Sequence, residues 1–126
     1  LTRSSAASDV YKRQIIDSME LIGNVEGKNV VLVDDMVDTA GTLTKASDLM
    51  IQRGALSVRA VCTHGILSGD AFKRIEKSSL AELIITDTIP VESKSKKVKL
   101  LSCAKLFAST MKNVHLNKSI DKNFLN

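Results

Sequence analysis

From Ile15 onward, short apolar runs rich in β-branched residues alternate with stretches whose apolar positions recur every three or four residues. NVVLVD (Asn29 to Asp34), introduced by the turn-like EGKN, predicts a buried strand. TLTKASDLMIQRG comes next with Leu43, Ala46, Leu49 and Met50 on one helical face, and Gly54 stands where a helix takes its C-terminal cap. SVRAVCTH (Ser57 to His64) predicts a second strand. SGDAFKRIEKS then starts a second helix, with Ser68 or Asp70 as its cap and Phe72 and Ile75 on one face. ELIITD (Glu82 to Asp87) and VKLLSC (Val98 to Cys103) predict two more strands. AKLFASTMKNVH predicts a last helix with Leu106, Phe107 and Met111 apolar.

Strands that are nearly continuously hydrophobic and alternate with helices are expected to be buried on both faces. The expected fold is therefore α/β, a mostly parallel sheet flanked by helices. Ligands of such sheets bind beyond the carboxyl ends of the strands. The pair Asp34-Asp35, His64 and Asp87 all fall at ends of that kind.

Composition changes this picture little. A chain of 126 residues, 44% hydrophobic and 25% charged, suits one globular domain. The net charge of +4 rests heavily on KSKKVK, Lys94 to Lys99, which reads as a solvated loop. Aromatic residues make up 3%, too few to build a stacking platform for bases, so no nucleic-acid partner is expected. The apolar runs fall far short of a membrane span, so no membrane partner is expected either. Cys62 and Cys103 have no metal-ligand spacing around them and read as reduced thiols of a cytoplasmic protein.

The first 14 residues, LTRSSAASDVYKRQ, have no sustained period and do not match the alternating pattern of the chain beyond them. DVYKRQ is also the codon-by-codon translation of the adapter-like GAT GTG TAT AAG AGA CAG. Residues 1–14 are accordingly expected to be a non-native arm, with the domain proper occupying 15–126.

The chemistry concentrates in VVLVDDMVDTAGTL, Val30 to Leu43. A strand, an acidic pair, a small-residue turn and a helix together suit a sugar phosphate. Asp38, Thr39, Ala40, Gly41 and Thr42 fall at a helix N-terminus, where free N–H groups and the positive dipole end accept a dianion. Gly41 allows close approach, and the Thr39 and Thr42 hydroxyls can donate to phosphate oxygens. Asp34 and Asp35 can accept hydrogen bonds from vicinal ribose hydroxyls, or help hold Mg²⁺ directly or through water. The plainer alternative makes Asp38 a helix cap and Gly41 a turn residue.

This stretch closely resembles the ribose-phosphate-binding motif of the type I phosphoribosyltransferase fold. With SMELIGNVEGKN before it and VCTHGILSG and ITDTIP after it, the chain from about Ile15 to about His115 resembles the ribose-phosphate pyrophosphokinase (PRPP synthetase) family. The resemblance implies transfer of the β,γ-diphosphoryl group of ATP to the 1-hydroxyl of ribose 5-phosphate, with Mg²⁺, for nucleotide biosynthesis. It implies that Asp34 and Asp35 hold the ribose hydroxyls and Asp38 to Thr42 the 5-phosphate. Only the second of the family's two similar domains is matched. ATP contacts and the catalytic lysine–arginine loop are thus expected outside this chain, and Lys12-Arg13 are not given that role. A homo-oligomer, a hexamer in the family, is also implied. The ending HLNKSIDKNFLN departs from the family's allosteric phosphate site, of which Ser119 and Phe124 would be remnants.

Other readings remain beside this one: a different type I phosphoribosyltransferase, and a non-catalytic regulatory homologue of the synthetase. A response-regulator receiver also ends strands in Asp-Asp and Asp-x-x-Pro. It needs a Lys-Pro, though, and the sole proline here is Pro90, preceded by Ile89. His64 reads first as a structural histidine, His115 as exposed, and Asp87 as a strand-end turn residue.

Overall fold

The computed structural model describes residues 22–123. The 1–14 arm, the start of the lead-in segment and Phe124 lie outside these residues. Among the described residues four strands form one sheet: β1 (Asn29–Val37), β2 (Ser57–Gly65), β3 (Leu80–Thr86) and β4 (Val98–Leu101). Every neighbouring pair is parallel, and the spatial order β1-β2-β3-β4 is the chain order. Three α-helices accompany them among the described residues, α1 (Gly41–Gln52), α2 (Ala71–Lys77) and α3 (Ala104–His115), with a short 3-10 helix at Asp121–Asn123. The α/β class and the parallel sheet are as expected. No helix among the described residues is long and apolar enough to cross a membrane.

The expectation of burial on both faces fails among the described residues, and the strand order says why. When each parallel strand is added beside its predecessor, crossovers of one hand all return over the same face. α1 and α2 accordingly touch each other, and α1 covers β2 and β3. Beneath them lies the core of Val58, Ala60, Cys62, Ile75, Leu80, Leu83 and Ile85. The opposite face keeps Val31 57% and Val33 81% exposed. α3 buries no residue, leaving Leu106, Phe107, Met111 and Val114 open.

α1 also turns a different face inward than its apolar period suggests. Leu43, Thr44 and Ser47 are buried, whereas Ala46, Leu49 and Met50 are half-buried. Thr44 is satisfied by its hydroxyl donating to Ala40 O at 2.8 Å, while Ser47 Oγ has no partner among the described residues. Gly54 closes the helix as expected, at φ +91, a conformation other residues resist.

The Lys94–Lys99 run is only partly a solvated loop. Lys97 reaches back to the end of α2, where its ammonium donates to the carbonyls of Ile75, Glu76 and Ser78 at 3.2, 3.2 and 2.9 Å. The last carbonyls of a helix lack intrahelical partners, and a cation at that end also meets the negative pole of the helix dipole.

Candidate functional site

β1 carries the two acids beyond the point where the apolar run stops. Pairing of Asp34 with Cys62, Met36 with His64 and Val37 with Gly65 extends the strand to Val37. Side chains alternate along a strand, so Asp34 and Asp35 leave it on opposite sides. Asp34 lines a concavity of about 260 Å³ together with Asp38, Thr39, Ala40, Gly41 and Thr42. Asp35 is not among the lining residues, although its N–H donates to Asp34 Oδ1 at 2.9 Å. Six of the seven predicted site residues therefore share one hollow at the carboxyl end of β1.

The turn from β1 into α1 is organised by its carbonyls. Val37 O accepts the N–H groups of Ile66 and Leu67, and Asp38 O accepts that of Ser68 at 3.1 Å. Thr39 O accepts Arg74 Nη1 at 2.9 Å, and Ala40 O accepts the Thr44 N–H at 3.0 Å. All described peptides are trans, and a trans peptide points its N–H opposite to its C=O. With these carbonyls held by the protein, the N–H groups of Thr39, Ala40 and Gly41 are directed the other way. Successive outward amides at a helix N-terminus form an anion-binding nest.

Asp38 is not the helix cap. The cap residue is Ala40, and no side chain caps α1. The Asp38 carboxylate instead accepts the Ser68 hydroxyl, tying the turn to the segment after β2. Both segments hold a buried non-glycine residue in the left-handed region, Ala40 at φ 57 and Leu67 at φ 50. Each costs about 1 kcal/mol, a kind of strain that gathers at ligand clamps. At Gly41 an added Cβ would stand 3.4 Å from Arg74 Nη1 and 3.8 Å from Thr39 Oγ1. Alanine would fit there in ordinary contact, and a branched side chain would crowd the guanidinium.

The weaker candidates resolve into structural roles. His64 Nδ1 and the Thr88 hydroxyl lie 2.8 Å apart, and Thr88 also donates to Thr63 O at 3.2 Å. Asp87 accepts the Cys103 N–H at 2.8 Å and the Ser102 hydroxyl, fastening the end of β3 to the start of α3. The Cys103 amide, then the Ser102 hydroxyl, hold the Asp87 carboxyl below its usual range. That contribution is complete above the ordinary carboxylate pKa and fades as pH falls through the lowered one. Both cysteines are free, and burial pushes the Cys62 thiol up, keeping it protonated. No group of three or more His, Cys, Asp or Glu among the described residues could hold a metal. Ser119 accepts the Asp121 N–H at 3.1 Å, a local turn contact.

Sequence reasoning missed Arg74 altogether and offered Ser68 or Asp70 as a helix cap; Asp70 is the cap residue, and Ser68 ties the turn instead. Arg74 and Ser68 both act on a turn some thirty residues away or more, and no local pattern carries that pairing.

The sequence matches the family described as "Phosphoribosyl synthetase-associated domain" over residues 6–125. The ribose-phosphate pyrophosphokinase of Wolinella succinogenes is 45% identical over 114 residues, covering 90% of this chain and 37% of that protein. The Porphyromonas gingivalis enzyme of the same name is 50% identical over 109 residues, covering 86% and 35%. The crystal structure of phosphoribosylpyrophosphate synthetase from Mycobacterium smegmatis superposes with a TM-score of 0.72 at 38% identity, over 76% of this chain and 33% of that one. The chain thus spans about a third of the length of the relatives it matches. Through sequence matches that cover nearly its whole length, and a fold match over three quarters of it, the chain belongs to the ribose-phosphate pyrophosphokinase (PRPP synthetase) family.

Proposed function

We propose that this chain supplies the ribose 5-phosphate-binding part of a ribose-phosphate diphosphokinase, which converts ATP and ribose 5-phosphate to PRPP and AMP. The observation that carries the reading is the single hollow with an acid at one end and outward amides at the other. Asp34 accepts hydrogen bonds from ribose hydroxyls, and the Asp35 N–H steadies its carboxylate. The amides of Thr39, Ala40 and Gly41 and the hydroxyls of Thr39 and Thr42 take the 5-phosphate. Asp38 serves by holding the turn in shape. In the reaction the sugar 1-hydroxyl oxygen bonds to the β-phosphorus of ATP, the bond to the α-phosphate bridging oxygen breaks, and AMP leaves. The hydroxyl proton passes to solvent or a base. Catalysis of this kind is positioning and charge neutralisation, so a rigid sugar-phosphate seat contributes directly.

Mg²⁺, which the family likeness implies, fits this seat only as an ion shared with substrate. Of the two exposed carboxylates only Asp34 lines the hollow, and no group of three such ligands is present among the described residues. Such a donor set suits Mg²⁺, which keeps several waters and is completed by substrate phosphates. When bound, it supplies positive charge to the transferring diphosphoryl group. Because the chain spans a third of its relatives, we assign ATP contacts chiefly to the remainder of the longer protein. The uncovered apolar sheet face and α3 are assigned to contacts with other protein in the assembled homo-oligomer.

Thermal denaturation of the 126-residue chain tests the site. A ligand that binds only the native state, at about a hundred times its Kd, stabilises by about 2.7 kcal/mol. Ribose 5-phosphate is expected to raise the melting temperature, and Asp38→Ala with Gly41→Val to remove the rise. The chain alone is expected to form no PRPP from ATP. A rise that survives in the double variant would refute the assignment.

A further inference from the structure

The sugar-phosphate seat has a positive charge next to it that the family motif does not account for. Arg74 is exposed on the last turn of α2, and its Nη1 donates to Thr39 O at 2.9 Å. The ion pairs among the described residues are Arg59–Glu82 and Lys73–Asp70, so Arg74 forms no ion pair there, although Asp70, whose carboxyl pKa is lowered chiefly by Lys73, also feels its charge. The same Nη1 stands 3.4 Å from the position a Gly41 Cβ would take, against the opening of α1.

Of the four carbonyls that shape the turn, those of Val37, Asp38 and Ala40 are held by backbone amides, that of Ala40 also by the Thr44 hydroxyl. The Thr39 carbonyl is the one held by a side chain from another element. Because the peptide is trans, fixing the Thr39 carbonyl also fixes the direction of the Ala40 N–H. Ala40 is the residue in the left-handed region, so this peptide lies next to the strained step of the turn. A guanidinium is well suited to the task, since it presents several donors in a rigid plane and stays charged at all working pH values. It also brings a positive charge to the turn whose carbonyl it holds, where an approaching dianion is otherwise met by carboxylates.

We propose that Arg74 is a positioning residue for phosphate recognition. It locks the Thr39–Ala40 peptide so that the Ala40 amide faces the 5-phosphate, and it supplies the positive charge that makes the turn selective for an anionic sugar. The proposal rests on the ribose 5-phosphate reading of the hollow.

The experiment compares the unaltered chain with Arg74→Met, Arg74→Lys and Gly41→Val. Affinities for ribose 5-phosphate and for inorganic phosphate are measured by calorimetry at two salt concentrations, together with melting temperatures and the backbone amide resonance of Ala40. Loss of one charge-assisted hydrogen bond corresponds to about a tenfold rise in Kd. Arg74→Met is expected to weaken both ligands by at least that factor, to flatten the salt dependence and to shift the Ala40 amide. Its melting temperature is expected to stay close to that of the unaltered chain, because the side chain is exposed. Arg74→Lys keeps the charge without the planar donor set and is expected to fall between them. If Arg74→Met destabilises the chain instead, the lysine variant decides: affinity and Ala40 resonance equal to those of the unaltered chain would overturn the peptide-locking role. An Arg74→Met affinity within about twofold of the unaltered chain would overturn the proposal as a whole. Failure of the underlying reading looks different: the unaltered chain does not bind ribose 5-phosphate, or Gly41→Val binds it equally well.

Discussion

The two faces of the sheet behave as if they belonged to different proteins. One is packed under α1 and α2, with Ile75, Leu80, Leu83 and Ile85 sealed from solvent. The other leaves valines and leucines open, and α3 extends its apolar residues without burying one of them. The strands put branched apolar residues on both sides, although the open one also carries Arg59, Thr63 and Glu82, so hydrophobicity alone does not separate them. Strand order does, because four parallel strands in chain order send every connection over one side. The site obeys the same logic. It lies where the turn from β1 into α1 meets the segment after β2, both on the connected side.

The contrast can be broken by mutation, beginning with the largest effect. Ile75→Ala empties a fully buried position under the helices and is expected to cost about 3 kcal/mol in chemical denaturation. A loss below about 1 kcal/mol would mean that the covered side is not the stabilising one. Lys97→Met removes the ammonium that caps α2 and is expected to cost about 1–2 kcal/mol, since three carbonyls lose a charged donor together. It is also expected to speed amide exchange at the end of that helix, and no change in either measurement would return Lys97 to the solvated run. The smallest effect belongs to the open side. Val33→Thr, at 81% exposure, is expected to change stability by no more than about 0.5 kcal/mol. A cost above about 2 kcal/mol would show that protein packs over that face in solution.

Much of this architecture is legible in local pattern. The four strands and three α-helices fall where an apolar run or a three-to-four-residue period puts them, whereas the short 3-10 helix at Asp121–Asn123 has no such signal, and the DTAGT turn marks the hollow. What escapes the pattern is pairing at a distance. The period of α1 points to Leu43, Ala46, Leu49 and Met50, yet Thr44 and Ser47 are buried alongside Leu43, because close approach to the sheet favours small side chains. Lys97 sits in a run of like charges that resembles any solvated loop, and only the position of α2 gives it acceptors. The run through Asp34 and Asp35 does not announce that β1 continues to Val37, since the ladder with β2 decides that. One-sidedness is a property of strand order, which no single stretch encodes.

The bracing of the turn also carries a consequence for the order of folding. The groups that hold Asp38 and Thr39 come 30 and 35 residues later in the chain. During synthesis, β1 and α1 emerge before the residues that fix the turn between them. The amide nest is therefore expected to stay loosely defined until β2 has paired and α2 has docked. The final shape of the hollow becomes a late event in the growth of this domain, gained when the second strand–helix unit closes over the first.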